Sequence, residues 1–110
     1  MVRTSQDLIA AITQRLIERY QPERIVLFGS YAAGQPHADS DIDLLIIKRT
    51  NQPFYHRLAE VRRLVSDVRR GQAFEPLVLT PEELAERLNR GDQFLQEIVT
   101  RGSSLHDARA

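Results

Sequence analysis

Ile25-Val26-Leu27-Phe28-Gly29-Ser30, then ten residues, then Asp41-Ile42-Asp43-Leu44-Leu45-Ile46-Ile47, is the part of the chain from which the architecture follows. Both apolar runs are short, continuous and rich in strand formers, the pattern of strands buried on both faces. The first run ends abruptly at Gly29-Ser30, a sharp turn, and the second carries its carboxylates at its start. Residues 31–40, with Gly34, Pro36, Asp39 and Ser40, read as a loop holding at most one helical turn.

Working outward, Leu8, Ile9, Ile12, Leu16, Ile17 and Tyr20 recur at helical spacing, so residues 5–20 form an amphipathic helix that Pro22 ends. Phe54, Leu58, Val61, Leu64, Val65 and Val68 are spaced like the core face of a second helix over about 53–70, stopped by Gly71, whose Arg57, Arg62, Arg63, Arg69 and Arg70 are read as a solvated face. Leu77-Val78-Leu79 is a third strand, with Pro76 at its first position or on a sheet edge. Thr80-Pro81-Glu82-Glu83 is a capping box that opens a helix with Leu84 and Leu88 inward. A last helix over about 92–101 is expected to bury Phe94, Leu95, Ile98 and Val99, with a loose tail at 105–110. Strands alternating with helices predict an α/β (α+β) fold: a small mixed sheet of three to four strands with helices packed mainly on one face.

The 110 residues fit one domain over 1–110, large enough to bury a core without disulfide or metal staples. Lys plus Arg is 15 and Asp plus Glu is 15, and this balance argues against a nucleic acid polymer as partner, because polyanion binding draws on a basic excess. The absence of cysteine removes thiol nucleophiles and thiolate metal sites. Neither a secretory leader nor an apolar run of about 18 residues is present, so no membrane association and a cytoplasmic location are expected.

Three chemistries compete for residues 28–44. A Walker loop needs Lys and Ser or Thr after the second glycine, where Gln35 and Pro36 stand. A calcium loop beginning at Asp39, with Asp41 and Asp43, needs Gly and Glu where Leu44 and Thr50 stand. The third reading is geometric. Alternate strand residues share a side, so Asp41 and Asp43 present two carboxylates about 6.6 Å apart along the chain at the mouth of a buried strand. Two such anions repel, and oxygen-only ligands suit Mg²⁺ or Mn²⁺. Glu75 supplies a third carboxylate if its strand lies beside the second. Gly29 lets the backbone approach a phosphate closely, and Ser30 offers a hydroxyl and an amide as donors. His37, His56 and His106 are isolated and read as exposed or structural, and Tyr31 either covers the turn or packs against a nucleotide.

Leu27-Phe28-Gly29-Ser30, the ten-residue loop with Ala32 and Gly34, and Ser40-Asp41-Ile42-Asp43-Leu44 together resemble the nucleotidyltransferase superfamily that shares its catalytic core with DNA polymerase β. The compact length and the segment Glu75-Pro76-Leu77-Val78-Leu79-Thr80-Pro81-Glu82-Glu83 resemble its minimal nucleotidyltransferase (MNT) subgroup. The resemblance implies a Mg²⁺-dependent enzyme (or one using Mn²⁺) in which Asp41, Asp43 and Glu75 are catalytic and metal-binding, and Gly29 and Ser30 hold ATP or another nucleoside triphosphate. Two departures stand out: glutamate at 75 where the family commonly has aspartate, and Ala33 where many relatives carry arginine.

The resemblance further implies transfer of a nucleoside monophosphate, AMP from ATP, to a hydroxyl of a HEPN-domain toxin encoded by the adjacent gene, with this chain as antitoxin. Two alternatives stand beside it: transfer to a small molecule of antibiotic type, and a non-catalytic antitoxin that masks its toxin. The nucleotide, the acceptor and the state of homo- or hetero-oligomerisation are left open.

Overall fold

The computed structural model describes residues 4–37 and 40–109; Asp39, weighed above as a calcium ligand, lies outside them. Helix α1 (Ser5–Arg19) opens on a capping box in which Thr4 and Asp7 satisfy each other's backbone amides. Strand β1 (Arg24–Phe28) follows and runs straight into the single-turn helix α2 (Gly29–Ala32). Strand β2 (Ile42–Ile47) pairs antiparallel with β1, and helix α3 (Phe54–Val65) then crosses to strand β3 (Phe74–Leu79), parallel to β2. Helices α4 (Pro81–Asn89) and α5 (Gln93–Arg101) lead to strand β4 (Ser103–Asp107), antiparallel to β1. The sheet order is β3-β2-β1-β4.

This is the expected small mixed sheet with its α/β class. The period of two along each strand explains how the core divides. Ile25, Leu27, Ile42, Leu44, Ile46 and Val78 pack with α1 and α3, through Ile12, Leu16, Val61 and Val65. The alternate residues Val26, Leu45, Ile47 and Leu79 pack with α4 and α5, through Leu84, Leu95 and Ile98. Helices therefore cover both faces, more evenly than the one-sided packing read from the sequence, because both strand runs are apolar at every position beyond the acidic pair.

Other expectations change. The tail expected to be loose supplies β4, and only Ala110 of it is outside the described residues. Its main chain satisfies the open edge of β1, with Arg24 opposite Asp107 and Leu27 opposite Ser103, a demand that backbone groups make whatever the side chains are. Phe94 is 58% exposed and Phe54 42% exposed, where core positions were expected. Arg57, assigned to the solvated face, is buried at 6% exposure, and its guanidinium reaches Glu83 of α4 at 2.7 Å while also donating to the carbonyls of Gln52 and Val78. Finally α3 ends at Val65 rather than near 70: the Ser66 hydroxyl donates to the Arg63 carbonyl, and Arg70 and Gly71 take positive φ of 53° and 78°. Pro76 sits inside β3 and not at its head, and β3 is an edge strand, the other place read for it. The capping box of Thr80 and Glu83, with Pro81 in the first turn, forms as expected.

Candidate active site

The predicted carboxylates are brought together by strand register. Phe28 of β1 lies opposite Asp43 of β2, and Asp43 lies opposite Glu75 of β3, so the three form one row across the sheet. All point to the α4/α5 face, since Asp43 shares its parity with Leu45 and Ile47. Asp41 immediately precedes β2, two residues before Asp43 and hence on the same side. It is positioned by Ser40, which is buried: its hydroxyl accepts from the His37 amide at 2.8 Å, and its carbonyl accepts from the Gln72 side chain at 2.8 Å. Gln72 is a supporting residue that carries no sequence signal, because its role depends on a contact across 32 positions.

Gly29 has φ of 76°, the left-handed region that glycine adopts without strain. A Cβ there would collide with Oδ2 of Asp43. The turn after β1 and the acid on β2 are thus in direct contact, and only glycine lets them be. Ser30, next in α2, is half-buried, and its hydroxyl makes no hydrogen bond with the described residues, which leaves it available as a donor.

Electrostatics follow from this crowding. Burial, reinforced by the charges of Asp41 and then Glu75, pushes the Asp43 carboxyl above its ordinary value of 3.8. Among the described residues neither Asp41 nor Asp43 has an ion-pair partner. Glu75 does: Arg62 of α3 approaches its carboxylate at 3.4 Å and donates to the Phe74 carbonyl at 3.1 Å. Both charged groups of that pair are substantially exposed, so it holds Glu75 only weakly. Among the described residues no three His, Cys, Asp or Glu side chains are gathered as a metal-binding group. Two uncompensated, repelling oxygen donors at Asp41 and Asp43 fit a hard divalent cation. Glu75 is beside them in register with its carboxylate turned to Arg62.

The remaining candidates separate. Tyr31 packs against the α1-side core and lines the larger cleft, about 750 Å³, between α1, α2 and β4, which none of the three carboxylates borders. His37 and His56 are exposed, and His106 contacts the Pro22 carbonyl through Nε2 at 3.2 Å. A smaller cleft of about 480 Å³ adjoins Phe28 and Gly29 directly. No helix among the described residues is long and apolar enough to cross a membrane.

Compared with known proteins, residues 10–109 match the family described as polymerase beta, nucleotidyltransferase. A crystal structure from Sulfolobus solfataricus, of a protein proposed to be a nucleotidyltransferase, resembles this chain with a TM-score of 0.52 and 26% identity. That match covers 72% of this chain and 69% of the other. No curated protein matches.

Proposed function

The chain belongs to the polymerase β nucleotidyltransferase family, and from that premise we propose that it transfers AMP from ATP to a hydroxyl of a partner protein, a HEPN toxin encoded by the adjacent gene, and so acts as an antitoxin. The observation that carries the reading is the contact of Gly29 with Asp43, which sets a tight phosphate-binding turn against an uncompensated acidic pair.

Asp41 and Asp43 are the residues that would hold Mg²⁺ or Mn²⁺. A cation held there would neutralise charge on the triphosphate and lower the pKa of an attacking hydroxyl. The chain's own groups do the rest. The backbone at Gly29 admits the outer phosphates, and the Ser30 hydroxyl and amide donate to their oxygens. Glu75, exposed and adjacent to Asp43, takes the proton released as the acceptor oxygen bonds to the α-phosphorus. The bond from that phosphorus to the bridging oxygen breaks in the same displacement, and pyrophosphate leaves. No covalent enzyme intermediate is required.

The test is incubation with the neighbouring gene's product, ATP and Mg²⁺, followed by intact-protein mass spectrometry. One AMP is expected on the partner with wild type and none with Asp43→Ala; equal labelling by both overturns the proposal.

A second reading has its own support. The Arg62–Glu75 contact and the lack of a gathered three-acid group among the described residues suit a protein that masks its toxin without chemistry. That reading requires Asp41→Ala and Asp43→Ala to protect cells as wild type does. Loss of protection with toxin binding intact eliminates it.

A further inference from the structure

We propose that the 480 Å³ cleft beside Gly29 is the subsite for the base of the donor nucleotide, and that it takes a purine stacked on Phe94. The inference rests on the nucleotidyltransferase reading and adds to it where the nucleoside lies and which residues recognise it.

Position comes first. The cleft starts at Phe28 and Gly29, the two residues that touch or pair with Asp43. A nucleotide whose phosphates lie along the Gly29-Ser30 turn has this space next to it, and the volume is within the roughly 300–1,000 Å³ of small-molecule sites. Shape comes second. Ala32, Ala33 and Gly102 contribute small surfaces, and a Cβ at Gly102 would meet the Ile98 carbonyl and Val26, so that wall is already at its closest approach.

Phe94 is the third observation. It is 58% exposed on a helix whose neighbouring Leu95 and Ile98 are buried, so the helix fixes the ring's origin while leaving the ring in water. Phe28 braces it edge-on, with centroids 5.8 Å apart and planes at 84°. A braced ring beside a charged site is poor surface for solvent and good surface for a base, because every base offers a π face.

The rim supplies hydrogen bonding. Glu97 and Arg101, one turn apart on α5, face the cleft and form only a loose pair at 3.9 Å with both side chains exposed. Carboxylate and guanidinium side by side match the edge of a base, which places amino or imino donors next to ring-nitrogen or carbonyl acceptors; the choice of a purine rests on its two fused rings, which cover more of the Phe94 face than a pyrimidine's single ring.

The test is isothermal titration of wild type, Phe94→Ala and Phe94→Tyr with ATP, GTP, UTP and inorganic tripolyphosphate, each with MgCl₂. Wild type is expected to bind ATP or GTP more tightly than UTP, and UTP bound as tightly as both overturns the purine assignment. Phe94→Ala should weaken purine nucleotide binding by about 5- to 100-fold, leave tripolyphosphate unchanged, and be rescued by Phe94→Tyr, which keeps the stacking face. Since Phe94 is exposed, the alanine variant should fold. Unchanged ATP affinity in Phe94→Ala, with tripolyphosphate binding present, overturns the base subsite alone. Failure of wild type to bind ATP or tripolyphosphate overturns the phosphate-site reading beneath it, and the subsite with it.

Discussion

Replacing Gly29 by alanine should do two separable kinds of damage, and Gly34 provides the control that separates them. Both glycines have left-handed backbone, with φ of 76° and 74°. An added Cβ meets nothing within 4 Å at Gly34, whereas at Gly29 it collides with the Asp43 carboxylate. Gly34→Ala therefore measures the backbone penalty alone, about 1–2 kcal/mol. Gly29→Ala carries the same penalty plus the displacement of Asp43 from its rotamer, about 0.5–1.5 kcal/mol more. In an Asp43→Ala background the offending carboxylate is gone, and the remaining Cβ of residue 43, at 3.5 Å from the new one, is in ordinary contact. The added cost should vanish there. Urea denaturation of wild type, both single variants and the double variant closes a thermodynamic cycle in which Gly29 and Asp43 couple by about 0.5–1.5 kcal/mol. If Gly29→Ala costs no more than Gly34→Ala in the wild-type background, or if its added cost persists in the Asp43→Ala background, the idea that the turn and the acid are fitted to one another is wrong.

Asp43→Asn should make the protein more stable at neutral pH. Because burial, Asp41 and Glu75 raise the native carboxyl above its unfolded value, the native state holds the proton more tightly, and wild-type stability falls as pH rises from about 4 through that raised value. Urea midpoints from pH 4 to 8 should show the gap between variant and wild type widening as pH rises, and Mg²⁺ should raise the wild-type midpoint only. Glu83→Gln strands the buried Arg57 guanidinium without its counter-charge and should cost about 1–3 kcal/mol, the lower end reflecting the partial exposure of Glu83. Its sign with pH is the opposite one: Arg57 holds the Glu83 carboxyl below its ordinary 4.5, so that stabilisation is present above about pH 4.5 and is lost as pH falls through the depressed value. Hydrogen exchange should find protection within β4 comparable to that of the central strands' ends, and free exchange across residues 103–107 would contradict the pairing with β1.

Legibility from sequence divides by the range of the interaction that places each residue. Thr80 to Glu83 spans three positions, and the capping box forms as read. Asp43 lies in β2 and Asp41 just before it, two positions apart, so a common side follows from the period of two without any knowledge of neighbours. Glu75 needed β3 to lie beside β2, which the carboxylate pattern alone does not supply, and its contact with Arg62 lies outside any spacing rule. Arg57 looked like a member of a solvated basic face because its partner, Glu83, is 26 residues away. Phe94 sits one position to the side of the Leu95–Ile98 stripe, near enough to pass for core by periodicity and far enough around the helix to be exposed. Strand β4 is held by main-chain pairing, and Ser103-Ser104-Leu105-His106-Asp107 offers almost no apolar alternation to announce it.

The strands themselves explain why an acidic site can exist in so small a sheet. On the α4/α5 face, the row Val26–Leu45–Leu77 lies one step from the row Phe28–Asp43–Glu75. In the first row Val26 and Leu45 are buried in the core, with Leu77 packed against it. In the second row no residue is fully buried, and the central one carries a charge that the protein raises in energy instead of neutralising. The boundary between fold and function is thus two residues wide. Hydrophobic rows of this kind contribute most of the stability, roughly 25 cal/mol for each Å² of apolar surface removed from water. Against that background the repulsion at Asp43 is tolerable without a compensating arginine. The surface pair of Arg62 and Glu75 marks the other limit: both groups are exposed to water, so the pair contributes little to stability.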